Sequence, residues 1–94
     1  MIQILVRHEV QDFKKWKSVF DSYAALRKKH GSEGGQVLTS VNNPNEVVVL
    51  LKWDSLENWE KFTSSHDMKE SMKQGGVVGK PDAYVLEESY KPSA

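Results

Sequence analysis

His8 and His66 are the side chains of this 94-residue sequence best suited to move a proton near neutral pH, and nine aromatic residues accompany them. An imidazole among aromatic walls acts as a general base, a proton relay, or a metal or haem ligand. His8 shares the parity of Ile2, Ile4, Val6 and Val10 in a run alternating with Gln3, Leu5, Arg7 and Glu9. That is the period of a strand, and it puts the imidazole on the side facing the helices. The competing reading is a structural histidine at a strand edge, satisfied by a backbone group. His66 carries the same two readings, with helix capping as a third, whereas His30 reads as a surface residue at a helix C-terminus.

Beside these two candidate catalytic residues stand Trp16, Tyr23, Trp53, Trp59, Phe62, Met68, Met72 and Tyr84 as candidate substrate-binding residues. A tryptophan at a cleft mouth supplies an apolar wall and an N–H donor for a flat, oxygenated ligand. Helical spacing alone also accounts for Trp16 and Trp59 as core. Met68 and Met72, four residues apart, suit an adaptable wall or a gap-filled core. The glycines at 75, 76 and 79 and a break at Ser64–Asp67 flank them, which makes the segment a candidate lid.

Other chemistries lack their residues. The chain has no cysteine, hence no disulfide, thiolate nucleophile or Cys-ligated zinc. No HExxH, EF-hand, Walker or GxSxG pattern occurs. Gly75-Gly76-Val77-Val78-Gly79 precedes a strand rather than a phosphate-cradling helix, and Glu87-Glu88 point to opposite strand faces. No metal site and no cofactor are therefore expected. With 13 basic against 13 acidic residues, the chain has no overall field to attract nucleic acid or an anionic membrane. No apolar run approaches the roughly 18 residues that cross a bilayer, and the first residues read as a strand rather than as a basic n-region with a cleavage site, so a cytoplasmic protein is expected. Neutrality conceals an asymmetry: residues 1–30 hold seven basic and three acidic side chains, the remainder six and ten. The basic half reads as a face for an anionic ligand, or as a solvated helix complemented by acidic groups elsewhere.

The elements that must position these residues follow from periodicity. At 38% hydrophobic and 28% charged the chain is globular, and its length suits one domain, assigned to 1–88 with 89–94 as a tail. After the strand over 2–10, Asp12 is a plausible N-cap, and Phe13, Trp16, Phe20, Tyr23 and Ala24 recur at helical spacing until Lys28-Lys29-His30-Gly31 close the helix. Residues 36–41 and 46–53 form a hairpin around Asn42-Asn43-Pro44-Asn45. Asp54 to Glu57 reads as a carboxylate capping box opening a second helix at about residue 55, interrupted near 64–66 and ended by Gly75-Gly76. Residues 77–81 read as an extended connector and 82–88 as the last strand.

The order βαββαβ is an α+β, ferredoxin-like arrangement: a four-stranded antiparallel sheet with helices on one face. Val47 to Leu51 are apolar at every position, so the strand carrying them is central and buried on both sides. Helices on one face leave Leu5, Val48, Leu50 and Leu86 or their neighbours uncovered, and a second copy is the simplest cover. A homodimer with its two sheets face to face, a dimeric α/β barrel, is expected.

The residues from Val6 to Trp16, then Phe20-Asp21, Pro44 to Leu50, Trp53-Asp54, Ser65 to Met72 and Gly75 to Pro81 resemble the dimeric α/β-barrel superfamily, in its small cyclase and antibiotic-biosynthesis-monooxygenase-like proteins. The resemblance runs to about residue 88. It implies a ligand cleft between sheet and helices, and one of three activities: cofactor-independent oxygenation of an electron-rich aromatic or polyketide, haem degradation, or lactone isomerisation and cyclisation. Haem-degrading members carry an asparagine on the first strand; here His8 takes that place, and Trp59 and His66 stand closer together than that pattern has them. The expected function is that of a dimeric small-molecule-binding protein, a monooxygenase or cyclase without cofactor, taking a hydrophobic or aromatic ligand. The alternative is a non-catalytic binding or stress-associated protein with a small or closed cleft. Nucleic acid and membrane are not expected partners.

Overall fold

The computed structural model describes residues 1–94. Its elements are β1 (Ile2–Val10), α1 (Phe13–Ser22), α2 (Ala24–Lys29), β2 (Ser32–Ser40), β3 (Asn43–Trp53), α3 (Leu56–Thr63), α4 (His66–Gln74) and β4 (Val77–Leu86). The strands form one antiparallel sheet in the order β2-β3-β1-β4, the ferredoxin-like arrangement read from the sequence; the second helix is interrupted between α3 and α4 as expected, and the first is divided as well.

Alternation in β1 and β3 sets the two faces. Ile4, Val6, His8 and Val10 are buried, as are Val47, Val49, Leu51 and Trp53, and β1 pairs with β3 so that Ile4 stands opposite Leu51 and His8 opposite Val47. Trp16, Trp59 and Phe62 come down from the helices to complete the core. Leu5, Val48 and Leu50 lie on the other face, where no helix packs, and remain only half-buried. Register places Leu38, Tyr84 and Leu86 beside them.

Four local readings change. Asp12 caps α1 as expected, accepting from the Lys14 N–H, but the first helix breaks at Tyr23 (φ −96°, ψ 7°). At the break the Phe20 carbonyl accepts twice, from the Tyr23 N–H at 3.2 Å and from Nη1 of Arg27 at 2.6 Å, which ties Arg27 to the end of α1. The second helix is capped by Ser55, which accepts from the Asn58 N–H, rather than by Asp54, which accepts from the Asn58 side-chain amide instead. The hairpin turns at Val41-Asn42, so the expected turn residues Asn43 to Asn45 belong to β3. Val77 to Pro81 is the first half of β4, not a connector: Val77 and Val78 pair with Val10 and Glu9 before the register shifts. Gly79, at φ +72°, and Pro81, without an N–H, make the bulge that hid this strand.

Candidate functional site

The bulge sits beside His8. Arg7 pairs with Asp82 and Glu9 with Val78, so His8 has a partner on β3 but none on β4. Bulges re-aim side chains, and this one leaves the imidazole pointing into the layer between sheet and helices. There it is 5% exposed and meets the edge of Trp16, with ring centroids 5.5 Å apart. Its Nδ1 is buried and has no hydrogen-bond partner. Burial pushes the His8 pKa below its usual value, opposed only by its own backbone, so the ring is neutral at physiological pH. Buried polar atoms are almost always paired, so one without a partner in the protein calls for an explanation, of which a catalytic role is one.

A cavity of about 60 Å³ opens at this imidazole, with ten apolar residues among the thirteen that line it. β1 and β3 supply its floor through Val6, His8, Val49 and Leu51. One wall comes from Trp16, Phe20, Tyr23 and Arg27 of the broken first helix; the other from Trp59, Phe62, Met68, Ser71 and Met72 of α3 and α4. Helical spacing aims these side chains inward: Trp16 stacks on Phe20 at 4.7 Å, Trp59 and Phe62 share one face of α3, and Met68 and Met72 share one face of α4. Outside this cavity lies a groove of about 550 Å³ between α2 and the start of β2, and Phe20, Arg27 and Leu51 line both.

Seven of the ten expected site residues thus converge: His8, Trp16, Tyr23, Trp59, Phe62, Met68 and Met72. Three do not. Trp53 is fully buried at the far end of β3, with its indole N–H donating to the His30 carbonyl at 2.9 Å and its ring packed against Trp59 and Phe62. His66 is the exposed first residue of α4, and the cap there is Ser65, whose hydroxyl accepts from the Met68 N–H. Tyr84 pairs with Leu5 on the open face and is 55% exposed. Arg27 was missed. It counted only among the seven basic residues of the first thirty, with no place of its own, and in the structure it sits on the short α2 that follows the break at Tyr23. There its guanidinium lies 3.7 Å from the centre of the Phe20 ring, and partial burial lowers its pKa. No three His, Asp or Glu side chains converge in a way that could hold a metal ion.

Comparison with known proteins agrees with the fold. No curated protein matches the chain. Among solved structures, a Bordetella bronchiseptica protein classed with the antibiotic biosynthesis monooxygenases superposes with a TM-score of 0.81 at 18% identity, covering 95% of this chain and 97% of its own. A variant of SnoaB, a cofactor-independent oxygenase from Streptomyces nogalater, gives 0.77 at 13% identity, with 96% and 94% covered. A conserved protein from Methanosarcina mazei gives 0.74 at 14% identity, with 94% and 92% covered. At such identities the likeness is one of fold. The family model for antibiotic biosynthesis monooxygenases matches residues 1–74, a span that contains every residue of both cavity walls, and the chain belongs to that family.

Proposed function

We propose that the protein is a dimeric small-molecule-binding protein that acts as a cofactor-independent monooxygenase, or as a cyclase, on aromatic or polyketide-like compounds. The observation that carries this is the neutral imidazole of His8, its Nδ1 without a partner in the protein, in the lining of an aromatic cavity. SnoaB, which shares the fold, is a cofactor-independent oxygenase. In the oxygenase reading His8 takes a proton from an acidic C–H of the bound substrate. The carbanion passes electrons to dioxygen and forms a C–O bond to a peroxide; loss of water leaves a carbonyl. A CH₂ group and O₂ thereby become C=O and H₂O, so the substrate supplies every electron and no reductant is consumed. A base weakened by burial suits only a substrate whose carbanion is well delocalised, which selects fused aromatics over aliphatic chains.

Size adds a requirement. Small-molecule sites usually occupy about 300–1,000 Å³, so a ligand reaches His8 only if the 60 Å³ cavity opens into the 550 Å³ groove. The narrow cavity is also what favours the second reading, a non-catalytic binding or stress-associated protein. Anthrone, with one benzylic CH₂, serves as probe. With the protein, it should take up dioxygen and yield anthraquinone, and His8→Ala should lower kcat by about 10²–10⁴-fold, the usual worth of a general base. Unchanged turnover in His8→Ala would remove His8 as base; saturable binding without dioxygen uptake would establish the non-catalytic reading.

A further inference from the structure

Arg27 stands where the inner cavity meets the outer groove, and its charge is unspent. None of the chain's ion pairs includes it. The carboxylate that acts on it most, Asp21, is held by Lys17 at 2.8 Å. Its one hydrogen bond to protein uses Nη1, and the rest of the five-donor fork stays available. Phe20 fixes the guanidinium plane from below, which pre-organises those donors. Lys28 and Glu33 are the other charged groups of the groove; Glu33 forms no ion pair with either cation, and the groove keeps a net positive charge. A partly desolvated cation without a counter-ion, beside an otherwise apolar cavity, is a recognition site for a negatively charged oxygen.

We propose that Arg27 reads the anionic group of the ligand, and that the ligand is an aromatic acid whose ring system enters towards His8 while its carboxylate, or an equivalent ionised phenol, stays at the junction with the outer groove. This rests on the cavity at His8 being the ligand site, and it names the substrate class of that site. It also gives the basic first third of the chain a use: Arg27 and Lys28 face the groove. A neutral polycycle such as anthrone gives the guanidinium no counter-charge, so it should bind more weakly than an acid of the same size.

The test compares 2-naphthoate with its neutral isostere 2-naphthamide, read by quenching of tryptophan fluorescence. The expected result is a preference of about tenfold or more for the acid, the scale of a charge-assisted bidentate contact. Arg27→Met should bring the ratio to within about twofold, and Arg27→Lys should keep part of it. Should Arg27→Met fail to fold for want of its bond to Phe20, the wild-type protein still decides: naphthoate binding must weaken with salt while naphthamide binding does not. Equal affinities, a preference that survives Arg27→Met, or no binding of either probe at millimolar concentration would each overturn the proposal. The His8 imidazole resonances separate it from the reading beneath it. If naphthamide shifts them but the acid has no advantage, only the anion proposal fails. If the acid is preferred through Arg27 and the imidazole does not respond, the anion site stands and the His8 reading fails.

Discussion

The orphaned Nδ1 of His8 has a thermodynamic consequence that can be measured without any ligand. A buried polar atom left unpaired costs about 1–3 kcal/mol, so His8→Leu, which fills the same space with an apolar group, should raise stability at pH 7 by that order while abolishing turnover. The pH dependence follows from the depressed pKa. Unfolded, the imidazole titrates near its ordinary 6.5; folded, below it. Between those two values the unfolded chain binds more protons, so stability is fully present above about pH 6.5 and is lost as pH falls towards the folded pKa, at about 1.4 kcal/mol per unit of depression. In urea titrations from pH 7.5 to 5 the wild-type protein should lose stability more steeply than His8→Leu. Parallel curves would mean that the imidazole is not buried neutral. The residue scale is also where the sequence was most legible. Parity alone put His8 on the helix side, and helical spacing alone gathered Trp16, Trp59, Phe62, Met68 and Met72. Tyr84, expected among the substrate-binding residues, stands an even number of positions from Leu86 and so shares its open face beside Leu5, outside the cleft. Arg27 was not readable, because its role depends on a helix break that no glycine or proline announces.

The elements that hold the site depend on two irregular strand positions. In β2 the register shifts between Ser32 and Gly35, and a methyl group on Gly35 would strike the Leu50 carbonyl oxygen and the backbone of Leu51, neither of which can move without breaking the β2–β3 ladder. Gly35→Ala should therefore cost about 2–4 kcal/mol, at the upper end of small-to-large changes. Gly79 has φ +72° but nothing within 4 Å of its would-be Cβ, so Gly79→Ala should cost only the left-handed backbone penalty of about 1–2 kcal/mol. Urea midpoints at constant m-value separate the two, and a Gly79→Ala loss as large as that of Gly35→Ala would mean that the bulge beside His8 is packed more tightly than its open surroundings indicate. Irregularity of this kind is why the strand starts escaped the sequence. Alternation identifies a regular strand, but a bulge carries a glycine and a proline, the same residues that mark a loop. Helix boundaries suffered likewise: Asp54 and Ser55 are both good caps, and only the geometry of Asn58 decides between them.

At the scale of the molecule, one sheet and one helix layer make a slab of 35 × 34 × 21 Å with a single covered face. The other face presents Leu5, Val48 and Leu50 at its centre, with Leu38 47% and Leu86 44% exposed around them. Arg7 crosses this face, but Glu46 holds it at 2.8 Å and Asp82 at 3.8 Å, so its charge is answered within the same copy and does not bar apposition. A second sheet laid on this one would bury a patch of the kind a monomer rarely leaves open, and two-fold symmetry would set the same apolar patch of each copy against that of the other. The cavity at His8 lies on the opposite side of the sheet, between that sheet and the helices of the same chain. Assembly and ligand binding should therefore separate. Leu5→Glu would bury a carboxylate in the dimer but expose it to water in the monomer; sedimentation at micromolar concentration should give two chains for the wild type and one for the variant. The wild-type Tm should rise with protein concentration and that of Leu5→Glu should not, since only association couples stability to mass action. Affinity for 2-naphthoate should stay within about twofold between the two, as expected for a site remote from the interface. A wild-type mass of one chain would dispose of the dimer, and a variant that became monomeric and lost the ligand would place part of the site across the two sheets.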